Sequence, residues 1–469
     1  MNDHELTPLT QQGQALYSLA RQLFPFAPTD EQDEVLTDLC RFATDRLPRD
    51  VFVLNGFAGT GKTTLMGAYV NALRRAGAKV VLLAPTGRAA KVFSNSSTLP
   101  AGTIHRRLFR PTEQGGYTLA PNRSEDTLFV VDEASLIGDA PDLRRSLLQM
   151  LVRYVNQGSN CGLILMGDTA QLPPVGQEQS LAMNRDRLVS LGLAPWHHVL
   201  STPLRQAAES GVLYNATLVR RFITGEPHPE SLILEASRFP DDVTVVPGEE
   251  LEDYYTSSLS RVGHDGTIVI TRSNWRANLI NNDIRVRILD TEEEIGSGEH
   301  ILVTRNNYYW ARQERNALLA NGDMATVNWI GQAEERYGYR FADAELTFPG
   351  RQGPVAAKLM LSTLYTDTPN LSPRAMADFH GKVLYSYEGD LSEKMRQADN
   401  DPYYNALQIK HAYCVTCHKA QGGQWRHVYI DMAGIRTDAF GEDFYRWLYT
   451  ALTRSTERVF LINPTLPVT

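Results

Sequence analysis

Two α/β domains, each built on a parallel sheet, are predicted by three observations on this 469-residue chain. Short apolar runs bounded by turn residues recur at 52–54, 80–84, 128–131 and 163–166. Segments of helical periodicity alternate with them, as at 65–76 and 140–155. Strands that alternate with helices imply parallel pairing with both sheet faces covered. The pattern then returns, with strands at 267–270, 428–430 and 459–462 and helices at 275–289 and 441–452.

In chain order, the first domain is drawn at 1–195. Within it, 108–126 places Gly115-Gly116 between two short segments of strand potential, the pattern of a projecting hairpin. The second domain is drawn at 196–325 and completed at 409–469. Between about 306 and 410 the composition changes: strands at 324–330 and 355–364 are short, turns are frequent, and helical periodicity waits until 372–398. This stretch is read as a β-rich insertion, bounded at 326–408.

Composition sets further bounds. Hydrophobic residues make up 42% and charged residues 21%, and no apolar run approaches the ~20 residues that cross a bilayer. The first residues lack a basic start followed by an apolar core, so an intracellular, cytoplasmic location and no membrane partner are expected. Net charge is −8, which does not exclude a polyanion partner, because a local basic groove can sit in an acidic exterior. Arg88, Lys91, Arg106, Arg107 and Arg110 form one basic cluster, and Lys410, His411, His418 and Lys419 another. The four cysteines are too scattered for a disulfide framework. Cys414 to His418 reads CVTCH, a literal match to haem attachment, but that chemistry needs export, and no second Cys/His pair has zinc spacing. Both cysteines are therefore assigned to a strand and loop.

The strongest chemical signal is VFVLNGFAGTGKTT, an apolar run followed by GxxxxGKT and a helical sequence. Gly56, Gly59 and Gly61 let backbone N–H groups wrap phosphate oxygens at a helix N-terminus. Thr60 and Thr64 complete the predicted cradle. Lys62 is expected at the β- and γ-phosphates and Thr63 on Mg²⁺. LFVVDEAS then delivers two carboxylates to the end of a buried strand: Asp132 to hold the metal, Glu133 to deprotonate water. LMGDTAQLPPVG adds Gln171, a neutral side chain suited to sensing the γ-phosphate.

In this order GFAGTGKT, DEAS and GDTAQLPPVG resemble motifs I, II and III of superfamily 1 helicases, and the likeness extends over nearly the whole chain. PTDEQ resembles the Q-motif, which implies that Gln32 reads adenine. LAPTGRAAKVF and GTIHRRL resemble motifs Ia and Ib, which implies strand contacts by Thr86, Arg88, Thr103 and His105. As isolated residues, Thr86 and His105 read as a cap and a core histidine. Leu204-Arg205-Gln206 lies where motif IV places an arginine. AYCVTCHKAQGG resembles motif V, implying contacts by Thr416, His418 and Lys419, and WLYTALTRS resembles motif VI. Arg205 and Arg454 are then implied as arginine fingers on the γ-phosphate. One departure stands out: Gln424 and Trp425 occupy positions where the family often has an acid that meets the ribose.

GTIHRRL, the hairpin before DEAS, and Asn321-Gly322-Asp323 before the β-rich insert are most similar to the RecD and Dda type. The resemblance implies two RecA-like motor domains, an SH3-like insert in the second, ATP and Mg²⁺ as cofactors, and 5′-to-3′ movement on single-stranded DNA with unwinding at forks. It also implies a monomer in a bacterial or virus-infected cell, with single-strand-binding or replication proteins as possible associates. The 108–126 hairpin is the candidate wedge, and Tyr308, Tyr309 and Trp310 are candidates for base stacking or for core packing. Competing readings are an ATPase that clamps or remodels protein–DNA complexes, a small-molecule phosphotransferase, and an RNA-directed motor.

Overall fold

The computed structural model describes residues 8–111, 117–138, 146–204, 209–311, 319–349, 351, 353–436, 438 and 440–469. The chain divides into two compact units. Unit 1 is Met1–Pro85, Ala89–Leu108 and Leu119–Thr224; unit 2 is Thr86–Arg88, Phe109–Thr118 and Gly225–Thr469.

Unit 1 begins with helices α1 (Gln11–Leu23) and α2 (Asp30–Asp45). Next come β1 (Asp50–Gly56), α3 (Lys62–Arg75), β2 (Lys79–Ala84), α4 (Gly87–Ser97), β3 (Ala101–Thr103) and α5 (Ile104–Leu108). The strands β4 (Phe109–Pro111) and β5 (Tyr117–Leu119), which group with unit 2 except for Leu119, pair with each other as a separate two-stranded sheet, while the Gly115-Gly116 turn lies outside the described residues. Then follow β6 (Thr127–Val131), α6 (Leu147–Gln157), β7 (Gly162–Gly167), α7 (Arg185–Ser190), β8 (Ala194–Leu200) and α8 (Gly211–Thr224).

The main sheet has the order β3-β2-β6-β7-β1-β8, and every pairing is parallel. Its central strands β1, β6 and β7 are buried at every residue, which is why they read as unbroken apolar runs. The core joins Phe52, Leu54, Val130, Ile164 and Met166 of the sheet to Tyr69 and Leu73 of α3 and Leu36, Leu39 and Phe42 of α2. This arrangement aims the carboxyl ends of β1, β6 and β7 at one loop cluster, the edge at which open parallel sheets carry ligands.

Unit 2 carries a second all-parallel sheet, β17-β10-β18-β19-β9. Its strands are β9 (Val243–Val246), β10 (Thr267–Thr271), β17 (Cys414–Thr416), β18 (Trp425–Asp431) and β19 (Ser455–Ile462). The helices beside it are α9 (Leu251–Val262), α10 (Asn274–Asp283), which continues as a π-helical turn over Ile284–Ile288, α13 (Cys417–Ala420) and α14 (Glu442–Leu452).

Between β10 and β17 lies a closed five-strand barrel. Its strands are β11 (His300–Val303), β12 (Met324–Ile330), β14 (Tyr339–Thr347), β15 (Val355–Met360) and β16 (Leu407–His411), with β13 (Glu334–Arg336) appended to β14. The ring closes because β12 pairs with both β11 and β14, β16 with both β11 and β15, and β15 with β14. Alternate residues of β14, Ala342, Ala344 and Leu346, enter the interior with Ile301, Val303, Val327, Leu359, Leu407 and Ile409. Phe341 points the other way, where α11 (Pro373–Tyr385) and α12 (Leu391–Asp399) cover it through Phe379, Val383 and Ala398. The 372–398 helical stretch is two helices, separated at a segment where Gly389 adopts φ 119°.

Candidate functional site: a phosphate cradle and a strand-contact surface

The loop between β1 and α3 is shaped by what its glycines leave empty. Gly59 and Gly61 sit at φ 76° and 77°, in the left-handed region. A Cβ on Gly61 would lie 2.6 Å from Gln32 Nε2, and one on Gly56 would lie 2.9 Å from the Lys62 side chain. Lys62 folds back and donates from Nζ to Gly56 O at 3.1 Å. Buried Thr60 donates its hydroxyl to Phe57 O at 2.7 Å, closing the turn from inside. Thr63 is half-buried and Thr64 exposed on the first turn of α3.

Asp132 follows β6, and its N–H donates to Leu83 O at 2.9 Å. Glu133 has φ 51°, an unusual conformation for a non-glycine residue, and its N–H donates to Asp132 Oδ1 at 2.7 Å. Among the described residues, Glu133 Oε2 is a buried oxygen with no hydrogen-bond partner. Burial first, and then the neighbouring Glu133 charge, raise the Asp132 carboxyl well above the usual range; the Lys62 ammonium works against them. The desolvated Asp132 carboxylate and the half-buried Glu133, beside one lysine, form a site short of positive charge. No cluster of three or more His, Cys, Asp or Glu side chains suited to a metal occurs among the described residues. The backbone cradle, the lysine and the under-compensated carboxylates fit a nucleoside triphosphate with a divalent cation.

Gln171 is buried at this edge, with Nε2 3.5 Å from Asp168 Oδ2. Asp168 itself was not singled out from the sequence, although GDTAQ places it directly after β7. It is 2% exposed, and its Oδ1 caps Ala170 N at 3.0 Å. Gln32 is buried too. Its Oε1 accepts from Thr29 N at 3.0 Å in a capping box, and its Nε2 donates to Thr60 O at 2.8 Å. The residue expected to read a base thus braces the phosphate loop as well. Arg205 lies outside the described residues. On α5 and the strand before it, Thr103 accepts from Arg106 N at 3.2 Å, and burial lowers the pKa of His105.

The candidate contacts of unit 2 gather at β17 and α13. Asn281 on α10 substitutes for a neighbouring strand: its Oδ1 accepts from Tyr413 N and Cys414 N at 3.0 and 2.8 Å, and its Nδ2 donates to Cys414 O at 2.8 Å. Thr416 is half-buried at the end of β17, His418 is exposed, and Lys419 donates to Asn321 Oδ1. Burial lowers the Lys419 pKa to about 8. Cys414 and Cys417 are buried in β17 and α13. Thr86 and Arg88 group with this unit, and the Arg88 guanidinium lies over the Trp425 ring at 4.4 Å. Trp425 is 3% exposed and so close to Gly423 that a Cβ there would meet its ring at 2.5 Å. The residue that stands near the family's acidic position is therefore a packing element.

Arg454 is 4% exposed. It donates from Nε to Thr450 O at 3.1 Å, from Nη1 to Gly423 O at 3.3 Å and from Nη2 to Thr453 Oγ1 at 3.1 Å. Of the stacking candidates, Trp310 donates from Nε1 to Asn405 O at 2.8 Å and packs on the barrel core. Tyr309 meets it edge-on at 4.9 Å, and burial raises the Tyr308 pKa to about 12.

Fold and site together define a P-loop α/β protein with two parallel sheets. Residues 21–210 match the AAA domain model, and residues 411–462 match the UvrD-like helicase C-terminal domain. The chain is 26% identical over 438 residues to the ATP-dependent RecD2 DNA helicase of Deinococcus radiodurans, covering 92% of this chain and 48% of that protein. It is 32% identical over 136 residues to the ATP-dependent DNA helicase Dda of Enterobacteria phage T4, covering 28% of this chain and 29% of that one. A Bacteroides Pif1 helicase solved with ADP-AlF3 and single-stranded DNA aligns over 94% of this chain and 93% of its own, with 16% identity and a TM-score of 0.47. Over these stretches the chain is similar to superfamily 1 helicases of RecD and Dda type. It spans about half the length of the RecD2 relative.

Proposed function

We propose that this chain is an ATP- and Mg²⁺-dependent DNA helicase that tracks single-stranded DNA 5′ to 3′ and separates duplexes at forks. The observation that carries the reading is the loop at Gly56–Thr63 set beside the desolvated Asp132 carboxylate and Glu133, whose buried Oε2 has no partner among the described residues. Bound ATP with Mg²⁺ would supply the scissile phosphoanhydride and the cation that those carboxylates lack.

The chain's own residues perform the rest. N–H groups of the Gly59–Thr63 loop and the start of α3 bind phosphate oxygens, and Lys62 exchanges its bond to Gly56 O for the β- and γ-phosphates. Thr63 and Asp132 would hold the cation. Glu133 takes the proton of the attacking water on Oε2, and Gln171, steadied by Asp168, orients that water. Arg205 and Arg454 stabilise charge on the transferred phosphoryl group, Arg454 only after giving up contacts to Thr450, Gly423 and Thr453. Gln32 receives the adenine while keeping the loop braced. Thr86, Arg88, Thr103, His105, Thr416, His418 and Lys419 hold the sugar-phosphate backbone, which makes tracking independent of sequence. The domain reading drawn from the sequence is 1–195 and 196–325 plus 409–469 as motor domains with 326–408 inserted; with β8 and α8 grouped in unit 1 and the barrel running from β11 to β16, the proposed borders move to about 224 and to 300–411, with the β4–β5 hairpin as the wedge.

Unwinding of duplexes carrying only a 5′ tail or only a 3′ tail tests the reading. ATP-dependent separation of the 5′-tailed substrate is expected. A 3′ preference rejects the polarity, and single-strand-stimulated hydrolysis without separation of either duplex favours a clamp or remodelling ATPase.

A further inference from the structure

We propose that Trp275 is a base-stacking platform: fixed on α10 beside the cleft of Thr416 and Lys419, it takes a nucleobase of the single strand whose backbone those two residues hold. The proposal rests on the strand-tracking reading above and adds to it a contact with the bases.

Trp275 is the second residue of α10 and is 60% exposed; Leu279, one turn further along the same face, is 40% exposed. Single exposed apolar side chains are ordinary on protein surfaces, so exposure alone carries nothing. Its place is what separates this one. Asn274 and Asn278 of α10 line one small cleft together with Thr416 at the end of β17 and Lys419 on α13. At 3.6 residues per turn, the stripe of Trp275 and Leu279 runs directly beside the stripe of Asn274 and Asn278. The exposed indole therefore borders the cleft that the two candidate phosphate contacts line.

The platform is rigid. Ala277, Ile280 and Ile284, on the far side of the helix, enter the core of unit 2 with Tyr413, Cys414 and Tyr429. Ser273 caps the first turn by accepting from Arg276 N at 3.1 Å, and Arg276 donates to both Asp431 oxygens at 2.7 and 3.1 Å. Asn281 bonds the same helix to Cys414 of β17. The stacking face and Thr416 thus keep a fixed spacing, which is what a contact repeated at every nucleotide requires.

The surroundings select the occupant. The charges nearest in the chain are cations: Arg276 is neutralised by Asp431, and Arg272 is exposed. An amphipathic partner helix would need anchors over about two turns, whereas the exposed stripe here is two residues. A flat base carried on an anionic backbone fits both the short stripe and the positive bias, because every base offers a π-face to an aromatic ring.

Anisotropy of labelled oligothymidylate, and of the same strand made abasic throughout, tests this on the full chain. Trp275→Ala is expected to weaken oligothymidylate binding about fivefold or more, the scale of one base–aromatic stack, and to leave the abasic strand within about twofold. The slope of log affinity against log salt should stay at the parent's value, because no cation is removed. Trp275→Phe keeps a ring and should recover most of the affinity, and both variants should hydrolyse ATP without nucleic acid at the parent's rate. Equal losses on the two strands, no loss on either, or no recovery with phenylalanine overturns the proposal. A parent that binds both strands equally leaves strand tracking in place and overturns the stack alone; a parent that binds neither rejects the strand-tracking reading and the stack with it.

Discussion

The phosphate cradle of unit 1 and the motif V and VI region of unit 2 hold their charges in opposite ways. In unit 1 the polar groups are preassembled but under-compensated: Glu133 Oε2 is buried without a partner, and Asp132 is raised by burial and by its neighbour. In unit 2 the key cations are already engaged: Arg454 by three bonds, Lys419 by Asn321, Arg88 by Trp425. A preorganised site gains its ligand at little reorganisation cost, whereas self-engaged cations must exchange partners. The contrast predicts that lesions in unit 1 remove chemistry outright, and that lesions in unit 2 shift binding and coupling by degrees.

The largest effect is expected at the cradle. Lys62→Ala and Glu133→Gln should each lower ATP turnover by about 10³-fold or more, the scale of losing one part of an interdependent phosphoryl-transfer site. Binding of a labelled single strand, followed by anisotropy, should change by less than about threefold. Residual turnover within tenfold of the parent would refute the assigned roles and erase the contrast.

Next comes Asn281, which satisfies three backbone groups at the start of β17. Asn281→Leu leaves those groups unpaired and should cost about 2–4 kcal/mol, read from urea unfolding, given ~1–3 kcal/mol for each uncompensated buried group and partial relaxation. Single-strand affinity should fall while hydrolysis without nucleic acid is retained, because the cradle lies in the other sheet. Undiminished affinity would show that β17 does not position the contact residues. Smaller again is the effect of Lys419→Gln: the slope of log affinity against log salt should decrease by about 0.7, one phosphate contact on a single strand. An unchanged slope would remove Lys419 from the contact surface.

What was legible in the sequence follows the same physics. Strands buried on both faces, β1, β6, β7 and β10, leave unbroken apolar runs, and the cradle leaves glycines that a Cβ would block. The edge strands β3 and β17, three residues each, carry too little pattern to read, and β8, also at a sheet edge, mixes buried and exposed positions without a clean period. The barrel's closure depends on β12 finding β14 and β11 finding β16, pairings set by distant chain. Asn281 was missed for a related reason. It acts on backbone groups more than 130 residues away, and a lone Asn in NNDIR carries no mark of that. Lys410 and His411 were grouped with a basic cluster, but they belong to β16 and are buried, Lys410 donating to Leu364 O and Thr366 Oγ1 at 3.2 and 3.0 Å.

His411 supplies the smallest effect, and one that concerns stability alone. It is 5% exposed, and among the described residues neither ring nitrogen has a hydrogen-bond partner. Burial lowers its pKa to about 3, with the Arg285 and Lys410 charges adding to the shift. Glu299 Oε2 stands 3.6 Å from Nδ1 and would favour the charged ring, but Arg285 at 2.6 and 2.9 Å and Gly296 N at 2.8 Å already engage that carboxylate. The local field at the imidazole is therefore set by the two cations. A histidine whose folded pKa lies below its unfolded value of about 6.5 favours the folded state fully above pH 6.5, and that contribution is lost as pH falls towards 3. Between pH 7 and 5 the parent protein should thus lose more stability than His411→Leu, with the difference read as a narrower shift of the urea midpoint in the variant. Equal shifts would mean that the ring finds a proton acceptor on acidification, and Glu299, released from Arg285, is the group positioned to provide one.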